Sequence, residues 1–226
     1  MRCGLKRVVP PSTAVLLFLI STAAAGAPQD AGAVRFRFAF GALTGSGENQ
    51  KLTAITQDTS LKAGDRIKMM VEVEQPGFVY VLHRGPDDEI DLLFPSDLQR
   101  RPQTAQRYYI PDGARWFELD EHPGNETFYV LGSVEPLSAL ETMLGRYALA
   151  PAPDKRAISG DIVAEIRRLR AAHRNAVAPA ERPVIIGGNV RALDKTPGRT
   201  LPDVSTLAVE VAADDFYART FTIARQ

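Results

Sequence analysis

The stretch from Leu61 to Pro95, LKAGDRIKMMVEVEQPGFVYVLHRGPDDEIDLLFP, constrains the fold more than any other part of the chain. Between Arg66 and Glu74, the apolar residues Ile67, Met69, Val71 and Val73 alternate with Arg66, Lys68, Met70, Glu72 and Glu74. A period of two belongs to a strand with a single buried face. Gln75-Pro76-Gly77 joins the fixed φ of proline to the permissive φ of glycine, which predicts a tight reversal and a hairpin. Phe78 to His83 is aromatic and β-branched on both faces, the pattern of an interior strand covered on two sides. Gly85-Pro86-Asp87-Asp88 predicts the next turn. Ile90 to Phe94 reads as a third strand, stopped at Pro95 because proline has no N–H for the ladder.

The flanking sequence continues the theme. Val34, Phe36, Phe38 and Phe40 share one side of a strand whose other side carries Arg35 and Arg37. Gly41 to Lys51 is glycine-rich and polar and reads as a flexible loop. Its Gly45-Ser46-Gly47 has neither the Gly-Lys-Ser/Thr of a phosphate loop nor the spacing of a nucleophile elbow. A polar connection, Ser96 to Gln106, carries Arg100 and Arg101 and leads to Arg107. Short strands are then expected at Tyr108 to Pro111, Arg115 to Leu119 and Glu126 to Val134, separated by Asp112-Gly113 and His122-Pro123-Gly124-Asn125. In the last of these, Phe128, Val130 and Gly132 share one face, and Tyr129, Leu131 and Ser133 the other. Turn signals recurring about every eight to twelve residues point to an antiparallel β-sandwich, immunoglobulin-like in architecture.

At Pro136 the period changes. Leu137, Leu140 and Leu144 fall at helical spacing with Gly145 as a C-cap, so a short helix is predicted from Pro136 to Leu144. Ala150-Pro151-Ala152-Pro153 breaks it, and a second helix is predicted from Asp161 to Arg174. That helix carries Ile162, Ile166 and Leu169 on an apolar stripe and Arg167, Arg170 and Arg174 on a basic one. An Ala/Pro linker, Ala176 to Pro183, precedes strands at Val184 to Ile186, Leu207 to Val211 and Phe216 to Ile223. Strands on both sides make the helical segment, residues 136–175, an insertion into one sandwich domain spanning 26–226.

Residues 1–25 read as a cleavable signal peptide: Arg2, Lys6 and Arg7 precede an apolar run from Ala14 to Ile20, too short to span a bilayer, and Ala23-Ala24-Ala25 offers the cleavage site. Cleavage after Ala25 makes the mature chain periplasmic or secreted, with no membrane span. Cys3, the only cysteine, leaves with the signal, which excludes disulfides, thiol nucleophiles and cysteine-ligated metals from the mature chain. Taking the three signal cations from 27 Lys and Arg leaves 24 against 27 Asp and Glu, which excludes a basic nucleic-acid binder.

The residues also carry a family resemblance. Leu61 with Gly64-Asp65-Arg66, Gly77-Phe78-Val79-Tyr80-Val81-Leu82, Leu92-Leu93-Phe94-Pro95, Ile110-Pro111, Gly124 with Glu126, and Pro136-Leu137 occur in an order that resembles the bacterial domain-of-unknown-function family 4384. The resemblance covers roughly residues 61 to 137. Members of that family occur in exported proteins and beside serine/threonine kinase or caspase-like peptidase domains. The chain departs from the pattern where Asp88 or Glu89 stands for a usual glycine before the third strand, and the helical insertion has no counterpart that aligns. The resemblance implies an accessory β-domain and transfers no catalytic residue.

Candidate chemistry is sparse. Asp87, Glu89 and Asp91 alternate like the first ligands of a calcium loop, but Leu92 and Leu98 stand where that loop needs glycine and glutamate. His83, His122 and His173 show no ligand spacing. A hydrolase would need His83 or His122 gathered with carboxylates in one pocket, or the pairs Asp120-Glu121 and Asp214-Asp215 held at glycosidase separation. The aromatic cluster Tyr108, Tyr109, Trp116 and Phe117, beside Arg107 and Arg115, suits a sugar or peptide surface; burial of the lone tryptophan is the alternative. The basic stripe Arg167, Arg170 and Arg174 is a second candidate contact, or a solvated helix face. The expected function is non-enzymatic: an exported accessory domain, without cofactor or metal, that binds a protein of a cell-envelope or secretion-related assembly. The alternatives are a glycan- or peptidoglycan-binding module and, third, an unrecognised hydrolase.

Overall fold

The computed structural model describes residues 33–98, 106–173, 180–183 and 201–225. The signal peptide and its cleavage site, the leader as far as Gly32, Arg100, Arg101, Arg174 and the strand expected at Val184 to Ile186 lie outside the described residues. The elements are β1 (Val34–Thr44), β2 (Lys51–Ala54), β3 (Thr59–Leu61), β4 (Arg66–Val73), β5 (Phe78–Arg84), β6 (Ile90–Phe94), β7 (Gln106–Ile110), β8 (Phe117–Glu118), β9 (Asn125–Ser133), α1 (Ser138–Leu149), α2 (Ala152–Ala172), β10 (Ala180–Pro183), β11 (Val209–Ala213) and β12 (Phe216–Arg225).

The strands form two sheets packed face to face, a mainly β sandwich. Sheet A runs β10-β11-β1-β4-β7, with β2 continuing beside the second half of β1 and β8 beside the first residues of β4. Sheet B runs β3-β12-β9-β5-β6 and is antiparallel except where β3 joins β12. Between the sheets, the alternation read from sequence is realised: Phe36, Phe38 and Phe40 of β1 and Ile67, Met69, Val71 and Val73 of β4 meet Val79, Val81, Phe128, Val130 and Phe221 of sheet B. Phe40 stands edge-on to Phe128 and Phe221 at 5.0 and 5.4 Å, the arrangement aromatic quadrupoles favour.

Three expectations are corrected. Gln75-Pro76-Gly77 does not close a hairpin: β4 lies in sheet A and β5 in sheet B, so the turn carries the chain across the sandwich. Both strands have apolar inner faces, and placing them opposite each other buries both, where edge pairing would have put them on one side. Gly41 to Lys51 is not one loop, because β1 continues through Thr44 and only residues 45–50 reverse the chain before β2. The helices are also longer than predicted. Gly145 lies inside α1, which continues to Leu149 because Tyr147 still has a core to fill; its hydroxyl accepts a hydrogen bond from the Ile90 N–H at 3.0 Å. α2 starts at Ala152, not Asp161, since Pro153 occupies the first turn, where a missing N–H breaks no helical bond.

The helical pair covers the outer face of sheet B as a third layer. Tyr80, Leu82, Tyr129 and Leu131 point outward into a second core with Leu140, Leu144, Ile162 and Ile166. This is why β5 is apolar on both faces. Sheet A is covered differently. Among the described residues its outer face carries the β7–β8 connection and the 3-10 turn Val204–Leu207 with Ala208, where Val204 and Ala208 meet Ala39 and Met70. A Cβ at Gly41 would come within 2.7 Å of Val204 Cγ2, so glycine is what lets this segment approach. The polar side expected of β4 is therefore partly a buried one: Met70 is fully enclosed and Lys68 only 4% exposed.

Candidate functional site

Lys68 organises the first candidate site. It points from β4 to the outer side of sheet A, beneath the connection between β7 and β8. Its Nζ donates to the carbonyl oxygens of Pro111, Gly113 and Arg115 at 3.2, 2.6 and 2.5 Å. Gly113 takes the left-handed conformation that the reversal requires, with φ of 67°, and donates its N–H to Asp112 Oδ1. The three carbonyls thus fold the connection over the ammonium. Burial lowers the Lys68 pKa, opposed by the charges of Asp112 and Asp203.

This connection delivers Trp116 to one wall of an open cleft of about 380 Å³, with Tyr109 of β7 beside it and Leu201, Pro202 and Val204 opposite. The ammonium of Lys68 lies 5.4 Å from the Tyr109 ring centre and 5.9 Å from that of Trp116. The Tyr109 hydroxyl donates to Asp203 at 3.1 Å, and the same carboxylate accepts from the Ser205 N–H at 2.9 Å, capping the 3-10 turn. Burial works to raise the Asp203 pKa, but these hydrogen bonds and the charge of Arg107 outweigh it and lower it. The side-chain polar groups of Lys68, Tyr109 and Asp203 are already partnered, so beside the Trp116 indole the cleft offers mainly apolar and aromatic surface.

The sequence-predicted site residues divide. Tyr109 and Trp116 converge on the cleft. Tyr108 alternates away from Tyr109 into the sandwich, its ring centre 4.8 Å from that of Phe94. Phe117 likewise alternates away from Trp116. Arg107 is exposed and paired with Glu72 at 3.2 Å, and exposed Arg115 enters through its carbonyl. Arg167 and Arg170 lie on the exposed side of α2, away from the β7–β8 connection, and Arg170 donates to Thr220 at 3.3 Å. In the acidic turn, Asp87 Oδ1 accepts from the Glu89 N–H and Asp91 pairs with His83; among the described residues no group of three or more carboxylate, imidazole or thiol ligands could hold a metal ion.

A second constellation lies at one end of the sandwich, on the inner face of sheet B. His83, Glu126 and Arg225 continue the inward faces of β5, β9 and β12 where the apolar residues stop, and Asp91 of β6 faces His83 in register. His83 Nε2 lies 2.5 Å from Glu126 Oε2 and Nδ1 lies 3.4 Å from Asp91 Oδ2. Arg225 pairs with Glu126 Oε1 and with Asp120, which also holds His122 at 3.0 Å. Burial works against the charged imidazole, but the hydrogen bonds and charges of Asp91 and Glu126 prevail and raise its pKa to about 9. A histidine held as imidazolium with both nitrogens engaged supplies no general base near neutral pH. Spacing along the chain does not show this row, but phase does: His83 is in step with Val79 and Val81, Glu126 with Phe128 and Val130, and Arg225 with Phe221 and Ile223.

Fold and sites together define a β-sandwich domain with an outer helical layer and two clefts flanking β8. Residues 60–136 match the model of a family described as a domain of unknown function, DUF4384. The match covers β3 to β9 and leaves out β1 and β12, which stand inside sheets A and B. No curated protein and no solved structure gives a significant match.

Proposed function

We propose that this chain is a non-enzymatic binding domain, exported to the periplasm or beyond, that engages a protein of an envelope or secretion-related assembly through the Trp116–Tyr109 cleft. The observation that carries this reading is the state of the cleft's polar groups. Lys68, Tyr109 and Asp203 are all hydrogen-bonded within the chain. A sugar presents many hydroxyls and needs free partners, whereas an apolar or aromatic anchor from a protein needs only a dry, shaped wall beside a tryptophan. Export is supported by the basic, apolar and small-residue order of residues 1–25, and no described helix is long and apolar enough to cross a membrane.

The test is site-specific photo-crosslinking from Ala114, on the cleft rim, in cells of the source bacterium. One protein adduct is expected, abolished by Trp116→Ala in a variant that still melts cooperatively. Retention on purified peptidoglycan, lost in the same variant, would replace the protein reading with the glycan one.

A further inference from the structure

The two sheets part at the end of the sandwich where the His83 row lies, leaving a mouth of about 270 Å³. Ile67, Phe117 and Leu119 line it from sheet A, and Leu93 and Phe128 from sheet B. Phe117 is held inward by its backbone pairing with Ile67, yet the residue remains 36% exposed at the lip.

The polar atoms of the mouth differ in what they have left to offer. Both imidazole nitrogens of His83 are engaged, and both oxygens of Glu126 are taken, one by His83 and one by Arg225. The exceptions are Glu118, exposed on β8, and Asp91 of β6. The Asp91 side chain is 68% exposed, its Oδ2 takes the long contact from His83, and among the described residues its Oδ1 accepts no hydrogen bond. Lys155 of the helical layer acts on it only through space. What remains at the mouth is therefore the carboxylates of Asp91 and Glu118 and two aromatic rings, with no free donor on the His83 imidazole. The unpartnered Nε of Arg225 is enclosed, so a carboxylate or phosphate finds no accessible donor in the row, and an uncharged apolar body would leave the carboxylates unused. An ammonium group meets both the carboxylates and the negative ring faces.

We propose that this mouth is a second binding site, one that takes a small organic cation: an ammonium head at Asp91 with an apolar or aromatic body against Phe117 and Phe128. The probes are three molecules of one shape and different charge, namely phenethylammonium, 3-phenylpropionate and 2-phenylethanol, titrated into the full chain by NMR. Phenethylammonium is expected to give saturable shifts at Phe128 and His83 and to bind at least about tenfold more tightly than the other two. Asp91→Asn should reduce that preference, Asp91→Asn combined with Glu118→Gln should erase it, and Phe117→Ala should weaken binding while leaving the preference intact. Trp116→Ala should change neither, which separates this site from the cleft on the other side of β8. Equal affinity for the anionic or neutral probe, an unaltered preference in Asp91→Asn, or no saturable shift would overturn the proposal.

Discussion

Lys68, buried, and His83, partly buried, are two cations held in one sandwich by different means. Lys68 faces the outer side of sheet A and is surrounded by carbonyl dipoles; His83 faces the inner side of sheet B and is set between carboxylates. Each gives up hydration, and the partner decides the outcome. Dipoles do not outweigh desolvation, so the Lys68 pKa falls; full negative charges do, so that of His83 rises to about 9. The surroundings differ as well. The carbonyls around Lys68 belong to an exposed connection where water can replace the ammonium, whereas Glu126 is only 6% exposed and shared with a second cation. One cation shapes a loop, and the other holds four strands together at the end of a core.

The largest effect is expected from Glu126→Gln. The substitution keeps the shape and leaves His83 and Arg225 facing each other without the charge between them. A loss of about 3 kcal/mol in urea unfolding at pH 7 is expected, the scale for removing one partner of a largely buried ionic pair. A midpoint equal to that of the wild type would show that the row contributes nothing.

Next in size is a pH effect with a definite sign. The folded pKa of His83 stands above its ordinary 6.5, at about 9. The stability it contributes is therefore fully present below pH 6.5 and is lost as pH rises through about 9. His83 is about one-fifth exposed, so after allowance for screening the loss should be about 2 kcal/mol. Thermal melting between pH 6 and 10 should show this decline in the wild type and a flatter profile in His83→Gln. Parallel profiles would refute it. The lowered pKa of Lys68 acts in the opposite sense, favouring the fold more as pH rises, so it cannot produce the same decline.

The two cations also mark where the sequence is legible. Period two in β1, β4, β5 and β9 locates the inner core because alternation is local to a strand. It does not say which strands pair, so Gln75-Pro76-Gly77 reads as a hairpin when it is a crossing between sheets. Lys68 and Met70 read as solvent-facing because what covers them is remote in sequence: the β7–β8 connection, 43 or more residues on, closes over Lys68, and Val204 and Ala208, more than 130 residues on, close over Met70. Trp116 and Tyr109 stand out in the sequence by type and proximity, and both line one cleft; the separation of Phe117 from Trp116 follows from alternation alone. The His83 row is hidden for a different reason. Each member is unremarkable on its own strand, and only the register of β6, β5, β9 and β12 brings them side by side.

The smallest expected effect tests the outer cation. Lys68→Met keeps the aliphatic stem under Trp116 but withdraws the donor shared by Pro111, Gly113 and Arg115. Water reaches those carbonyls, so the global cost should be only about 1 kcal/mol. The local cost is larger, because the loop loses the point on which it converges. Trp116 is the only tryptophan in the chain, so its fluorescence reports on the cleft without interference. Acrylamide should quench it more efficiently in Lys68→Met, and amides 112–116 should exchange faster while those of β4 stay protected. Unchanged quenching together with unchanged exchange would mean that the β7–β8 connection is held by its own turn, and that Lys68 follows the loop instead of shaping it.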